Sequence, residues 1–267
     1  MNSSIQMYMD LNPIIEKEAF DYAIRNYCSE TDTHLHLDKL FIQKNFNLNG
    51  KRILDFGSGM GSMPLWYKSN WDCEVTCIDI DKNHLEISKK LFENFGVKDI
   101  KLECRDITKH PLQEKFDFIV LTDVVEHIDL NILPDILKQL ENALAKGGKI
   151  FVSFPPWQGP YASHVEHIIG FKWCQFIPDS ILIPIIKKRN RDLAGSIEKT
   201  LVDAYLGLNK MTFGKLMNII SIHTNLRLTA RNAHSVLNKI PFFRHINFTV
   251  FPLNFLISKE ILIFEHS

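Results

Sequence analysis

The sequence predicts an α/β protein: a doubly wound, mainly parallel seven-stranded sheet, with an inserted cap between strands five and six. Three observations point there. From Lys51 onward, short apolar runs alternate with polar stretches of helical period, the pattern of strand–helix–strand units. The run 116–122 is almost wholly apolar, as a strand covered on both faces must be. The alternation then breaks over residues 155–210, where Pro, aromatic residues and His accumulate.

Taken in order, residues 1–49 read as a helical lead-in of mixed polarity that ends in a turn at Asn47–Gly50. Strand one is 52–56 and runs into a glycine-rich loop, after which 60–69 is helical. Strand two is 74–80, and the helix over 82–95 carries Leu85, Ile87, Leu91, Phe92 and Phe95 as its apolar positions. Strands three and four are 100–104 and 116–122. A helix over 131–145 is expected to stop at Gly147 and Gly148, since glycine adopts the left-handed conformation that ends helices. Strand five is 149–154. After the break a helix starts behind Thr212, a side chain able to cap its first N–H groups, and runs to His223. Strands near 226–231 and 256–264 complete the set. The division expected is 1–49 lead-in, 50–154 ligand-binding core, 155–210 cap or lid, and 211–267 completion of the core sheet.

Composition narrows the function classes. Lys+Arg 31 against Asp+Glu 31 leaves a formal net charge of zero, without the basic excess that tracks a nucleic-acid backbone. Hydrophobic residues at 45% and charged ones at 23%, with only 12 Gly and 11 Pro, exclude disordered and collagen-like chains. No apolar run approaches the ~18–20 residues of a membrane span; the longest candidate, 181–186, contains Pro184. Residues 1–10 lack the cationic and apolar pattern of a secretion signal. The five cysteines (Cys28, Cys73, Cys77, Cys104, Cys174) show no C-x-x-C spacing, and Cys73 and Cys77, flanking a strand, read as buried free thiols. These features fit a soluble, cytoplasmic protein without stable membrane insertion.

The informative stretch runs from Ile53 to Gly61. A strand delivers Asp55 into a loop with glycines at 57, 59 and 61 around Ser58. Glycine is needed where φ is positive or where backbone touches a ligand. A dinucleotide-binding loop reads G-x-G-x-x-G, so that pyrophosphate sits on the following helix; here position 62 is Ser. A carboxylate two residues before the first glycine would repel phosphate but suits an α-ammonium group. The ligand implied is nucleoside-like and cationic, without phosphates. Asp79 lies 24 residues after Asp55 at the end of strand two, where such folds hydrogen-bond ribose hydroxyls. Asp106, at the end of strand three, can accept from an adenine amino group with Ile107 against the ring. Strand four ends in Asp123, followed by Glu126 and His127.

Four such elements in order, each at a strand's C-terminal end, resemble the Rossmann-like class I S-adenosylmethionine-dependent methyltransferases, and within them the subgroup acting on small molecules. The resemblance covers roughly residues 45–155, with a weaker echo from Lys210 onward. It implies S-adenosyl-L-methionine as cofactor. It implies that Asp55 and Gly57, Ser58, Gly59 and Gly61 meet the methionine portion, Asp79 with Ile80 the ribose, and Asp106 with Ile107 the adenine, with Asp123 near the sulfonium. Class members that methylate exocyclic amino groups of nucleic acids usually carry an (Asn/Asp)-Pro-Pro-aromatic run after strand four. That run is absent here, and Pro155-Pro156-Trp157 instead follows strand five.

Methyl transfer requires an acceptor held in line with the sulfonium carbon and, for a hydroxyl, a group to take its proton. His164 and His167, after strand five, are the candidate bases; three residues apart, they would share a face of a helix and would suit a base with its orienting partner or two metal ligands. Glu126 with His127 is a second candidate pair. No metal is assigned. Trp157, Tyr161 and Trp173 are the candidate acceptor contacts. Phe171, Phe176 and the 181–186 run would line an apolar lid, and the basic residues 187–191 form either a solvated turn or a patch meeting anionic groups. In the lead-in, Tyr8, Tyr22, Tyr27, His34 and His36 are placed to reach the site if that segment closes over it. The reaction expected is methylation of a small molecule, at oxygen with a histidine base, or alternatively at nitrogen or carbon or on a lipid-like acceptor. A nicotinamide oxidoreductase and an inactive binding module are the distant alternatives.

Overall fold

The computed structural model describes residues 13–29, 33–189, 201–243, 246 and 248–267. Tyr8 and the rest of 1–12 lie outside the described residues, as do 190–200 of the expected cap with the end of the basic run at Arg191. The described residues form two compact units, one up to Asp106 and one from Ile107 on.

The first unit contains α1 (Pro13–Cys28), α2 (His36–Asn45), β1 (Arg52–Phe56), α3 (Ser62–Asn70), β2 (Glu74–Asp79), α4 (Lys82–Asn94) and β3 (Ile100–Cys104). β1 pairs in parallel with β2, and β2 with β3; Asp55 stands opposite Cys77 and Asp79 opposite Cys104. Ile53, Leu54, Cys77 and Ile78 of the strands are buried with Leu65 and Tyr67 of α3 and Ile87, Leu91 and Phe92 of α4. The lead-in helices belong to this unit through specific polar contacts. Lys39 Nζ donates to the carbonyls of Asn26 and Tyr27 at 2.7 and 2.8 Å, meeting acceptors that the end of α1 leaves unpaired. Ser62 Oγ donates to the Ala23 carbonyl at 3.0 Å, and the Tyr27 ring packs edge-on against Phe95.

The second unit contains β4 (Phe116–Thr122), α5 (Leu133–Ala143), β5 (Leu144–Phe154), the short helices α6 (Glu166–Ile169), α7 (Asp179–Lys188) and α8 (Leu201–Gly207), α9 (Phe213–His223), β6 (Leu226–Ser235) and β7 (Ile257–His266). β4 and β5 are parallel, while β7 is antiparallel to both β5 and β6. Thr212 caps α9, accepting from the Lys215 N–H at 3.1 Å. The apolar run 181–186 is helical in α7, burying Leu182 and Ile186 and exposing Ile181 and Ile185. The strands are ordered β3-β2-β1 in the first unit and β4-β5-β7-β6 in the second, seven strands with both parallel and antiparallel pairs.

Between β3 and β4 the chain runs through turns that contain Pro111. One expectation about the elements needs correction. Gly147 and Gly148 do not end a helix: α5 stops at Ala143 and β5 begins at once. Gly147 takes φ 73° where the β4–β5 register shifts, and a Cβ on Gly148 would stand 2.9 Å from Leu144 Cδ1 and 3.0 Å from the Asp117 carbonyl. The glycine pair therefore serves a bulge at the start of a strand. Cys73 and Cys77 are buried free thiols as expected, Cys174 likewise, whereas Cys28 and Cys104 are exposed. Among the described residues no helix is long and apolar enough to cross a membrane.

Candidate functional site

In the first unit, β1 carries Asp55 to the end of the sheet and the chain turns through three glycines of positive φ: 72° at Gly57, 52° at Gly59 and 81° at Gly61. These conformations strain residues that have a Cβ, so α3 starts only at Ser62. The turn is pinned to β2, because the N–H groups of Gly57 and Ser58 both donate to the Ile78 carbonyl, at 2.7 and 3.1 Å. Gly61 is also the point of closest approach to α4: a Cβ there would lie 2.8 Å from Ser88 Oγ and 2.9 Å from the Phe92 ring. Gly59 differs, since a Cβ on it would meet nothing within 4 Å. The backbone there borders open space.

The two carboxyl groups beside this turn are in opposite states. Asp79 accepts from the Gly59 N–H at Oδ2 and from the Asp81 N–H at Oδ1, both at 2.8 Å, and its Oδ1 lies 3.6 Å from His84 Nδ1. Burial raises its pKa, but His84 and the two N–H donors outweigh burial and hold it below the ordinary value, so it is ionised. Asp55 is buried, its Oδ2 makes no hydrogen bond, and burial reinforced by the charge of Asp79 pushes its pKa up to about 8. It is mostly protonated at neutral pH and is ready to ionise for a cationic partner. Asp81 caps α4, accepting from the Asn83 N–H at 2.8 Å. Asp106 is half-buried and Ile80 is 64% exposed.

In the second unit, β4 ends in a tight turn through Asp123, whose φ is 54°. Asp123 Oδ2 meets Lys259 Nζ of β7 at 3.0 Å. Glu126 is buried, and Nε2 of the half-buried His164 lies 3.8 Å from its Oε1. The rings of His127 and His164 are 4.9 Å apart between centroids. One ligand-type atom from each of Glu126, His127 and His164 falls within 4.8 Å of the others. His127 is reached by solvent, yet the protein around its ring disfavours the imidazolium more than the Asp123 carboxylate favours it, which lowers its pKa. The segment is held by Asn209: its side-chain amide donates to the carbonyls of Val125 and Ile128 at 2.6 and 2.7 Å, and its N–H to that of Glu126 at 2.9 Å.

The expected helical pairing of His164 with His167 does not form. His164 sits at φ 59°, before α6 begins, while His167 lies within α6 and is exposed. Ser163 fixes this turn, donating to Glu166 Oε1 from its N–H at 2.8 Å and its hydroxyl at 2.6 Å. Of the expected acceptor contacts, Trp157 is half-buried with its N–H donated to the Met211 carbonyl at 2.7 Å. Trp173 has φ 61° and donates its ring N–H to the Phe255 carbonyl at 3.0 Å. Tyr161 is exposed, with Lys172 above its ring. Ile107 is buried. Tyr22 and His34 stack on one another in the lead-in. Sequence reasoning missed His84, Lys259 and Asn209. The first was detectable as a residue one helical turn beyond Asp81; the other two reach the site only through tertiary pairing.

Residues 53–148 match the family described as "Methyltransferase domain". The chain is 29% identical over 122 residues to the ubiquinone biosynthesis O-methyltransferase of Coxiella burnetii (strain RSA 493 / Nine Mile phase I), an alignment covering 42% of this chain and 47% of that protein. It is 26% identical over 114 residues to the sphingolipid C9-methyltransferase of Komagataella phaffii, covering 39% of this chain and 23% of that one. The chain thus spans less than half the length of these curated relatives. In three dimensions it is similar to an S-adenosylmethionine-dependent methyltransferase from Clostridium acetobutylicum, with a TM-score of 0.58 and 14% identity over 94% of this chain and 99% of the other. Residues 53–148 thus match a methyltransferase-domain family, and the fold is that of the class I S-adenosylmethionine-dependent methyltransferases.

Proposed function

We propose that this protein transfers a methyl group from S-adenosylmethionine to a hydroxyl of a small molecule, with His164 taking the hydroxyl proton. The observation that carries the reading is the pair of carboxyl groups around the open turn at Gly59, one ionised and hydrogen-bonded, the other buried and protonated. That donor set fits this cofactor. Asp79 offers an anionic acceptor for ribose hydroxyls while its other contacts hold the loop. Asp55 would ionise against the α-ammonium group, and no cationic side chain is needed because the ligand carries no phosphate. Gly57, Ser58 and Gly61 shape the turn, and Asp106 and Ile107 are assigned to the adenine. When bound, S-adenosylmethionine supplies the electrophilic methyl group.

His164 is favoured over His167 as proton acceptor because it is half-buried with Glu126 beside its Nε2, where the carboxylate would stabilise the imidazolium formed. Trp157, Tyr161 and Trp173, within a cap over 155–210, are assigned to the acceptor. The relatives named above span O- and C-methylation, so nitrogen, carbon and lipid-like acceptors are the second reading.

The test is S-adenosylhomocysteine release from S-adenosylmethionine across a panel of phenols, alcohols, amines and lipid-like acceptors. Turnover with hydroxyl acceptors supports the reading, and turnover confined to amines or carbon acids overturns it. In the hydroxyl case, His164→Ala lowers kcat by about 10²–10⁴-fold with unchanged cofactor affinity; full turnover in that variant removes His164 as the base.

A further inference from the structure

We infer that Glu126, His127 and His164 together form a binding site for one divalent transition-metal ion, with Zn²⁺ the closest match to the ligand set. This rests on the acceptor site of the proposed function but gives His164 a different role there, that of metal ligand in place of base; the binding itself does not depend on that reading. One carboxylate oxygen and two imidazole nitrogens, from the end of β4 and the turn before α6, converge within 4.8 Å. Two bonds of about 2.1 Å to one ion place their ligand atoms no more than about 4.2 Å apart, so the trio needs only a small closing movement. The Glu126–His164 separation of 3.8 Å is too long for a hydrogen bond and falls within that limit. Two histidines and one carboxylate are the borderline donor set that Zn²⁺ accepts in catalytic sites, where further positions stay open for solvent or a substrate oxygen.

The surroundings are those of a positioned ligand set. Glu126 is buried, His164 half-buried and His127 exposed, so the cluster has an inner anionic wall and an open outer face through which an ion can enter. Asn209 ties down the segment carrying Glu126 and His127 with three hydrogen bonds, two from its side chain and one from its backbone. Ser163 and Glu166 fix the turn that gives His164 its left-handed backbone. Contacts of this kind hold metal ligands in orientation, and their loss commonly weakens metal affinity by about 10–100-fold. A metal ion here would coordinate the acceptor's oxygen and make its hydroxyl more acidic, so that the proton passes to solvent through the open outer face of the cluster. In that state Nε2 of His164 is a ligand and not the proton acceptor.

The test measures Zn²⁺ binding to the full chain, without cofactor or acceptor, by competition with a chromogenic chelator. Co²⁺ absorbance in the visible gives a second readout. Wild type is expected to bind one equivalent of Zn²⁺ tightly. His127→Ala, His164→Ala and Glu126→Gln are each expected to weaken it by about 10–100-fold or more, with His223→Ala, on the exposed end of α9, binding as wild type. Because Glu126→Gln alters a buried group, its melting curve is compared with wild type, and the two histidine variants carry the test if it fails to fold. Absence of binding, or binding untouched in both histidine variants, overturns the inference. In that case the base assignment of His164 stands or falls by its own kinetics.

Discussion

Replacing Asp55 by Asn isolates the electrostatic feature on which the cofactor assignment rests. The side chain keeps its shape and loses the ability to ionise. In the folded protein burial and the charge of Asp79 raise the Asp55 pKa from 3.8 to about 8. A group with a raised folded pKa contributes stability that is complete below the unfolded value and is lost as pH climbs through the folded one. The wild-type protein should therefore lose about 1.4 kcal/mol of stability from this residue for each pH unit across that window. Over the full shift the loss is roughly 6 kcal/mol. An asparagine has no such window. Its buried amide adds a penalty that does not change with pH and so cancels from the slope. Urea unfolding of both proteins at about pH 5 and about pH 8 should show the Asp55→Asn variant gaining about 4 kcal/mol on the wild type between the two conditions. Parallel stability curves would refute the reasoning, because they would mean that Asp55 ionises freely in the folded state. A second arm follows from the same proton. Docking of an ammonium group favours the carboxylate, so cofactor binding near neutral pH should release a proton from wild type and none from Asp55→Asn, read by calorimetry in two buffers of different ionisation enthalpy.

Other substitutions test the surrounding parts. Asp79→Asn leaves one acceptor oxygen where the Gly59 and Asp81 N–H groups now have two, and it removes the anionic partner for ribose; S-adenosylhomocysteine affinity should fall by about 10–100-fold, and unchanged affinity in a calorimetric titration would contradict the assignment. Gly61→Ala must place its Cβ at φ 81° and within 2.9 Å of Ser88 and Phe92, so it should destabilise the fold by about 2–4 kcal/mol in urea unfolding. Gly59→Ala meets no atoms and should destabilise by only about 1–2 kcal/mol while still impairing cofactor binding, because the added methyl enters the open space assigned to the ligand. Lys259→Ala leaves Asp123 without its close cationic partner and should lower stability by about 3–5 kcal/mol, with a denaturation midpoint like wild type counting against that pair.

The parts of the fold visible in the sequence were those written in local periodicity. β4 was legible because a strand buried on both faces must be apolar throughout, and Thr212 because a capped helix start is a local signal. Gly147 and Gly148 misled for a physical reason: glycine permits positive φ equally at a helix end and at a strand bulge, and only the pairing with β4 distinguishes them. The histidines show a similar limit. Their spacing of three implies a shared face only if both are helical, and His164 precedes the helix. Asp55 and Asp79 were legible as positions, but their opposite proton states arise from burial and from donors such as the Gly59 N–H, which only the folded turn creates. Lys259 and Asn209 left no local signal at all, since each meets its partners across more than 80 residues of chain.

The most direct test of the central claim is a calorimetric titration of the folded chain with S-adenosylhomocysteine and S-adenosylmethionine, with NADH as the control ligand. One site of micromolar affinity for both sulfur ligands, weakened in Asp79→Asn, with no heat from NADH, is the predicted result. Binding of NADH, or no binding of either sulfur ligand by a chain shown to be folded, would contradict the reading of the glycine turn and its two carboxyl groups as the cofactor site.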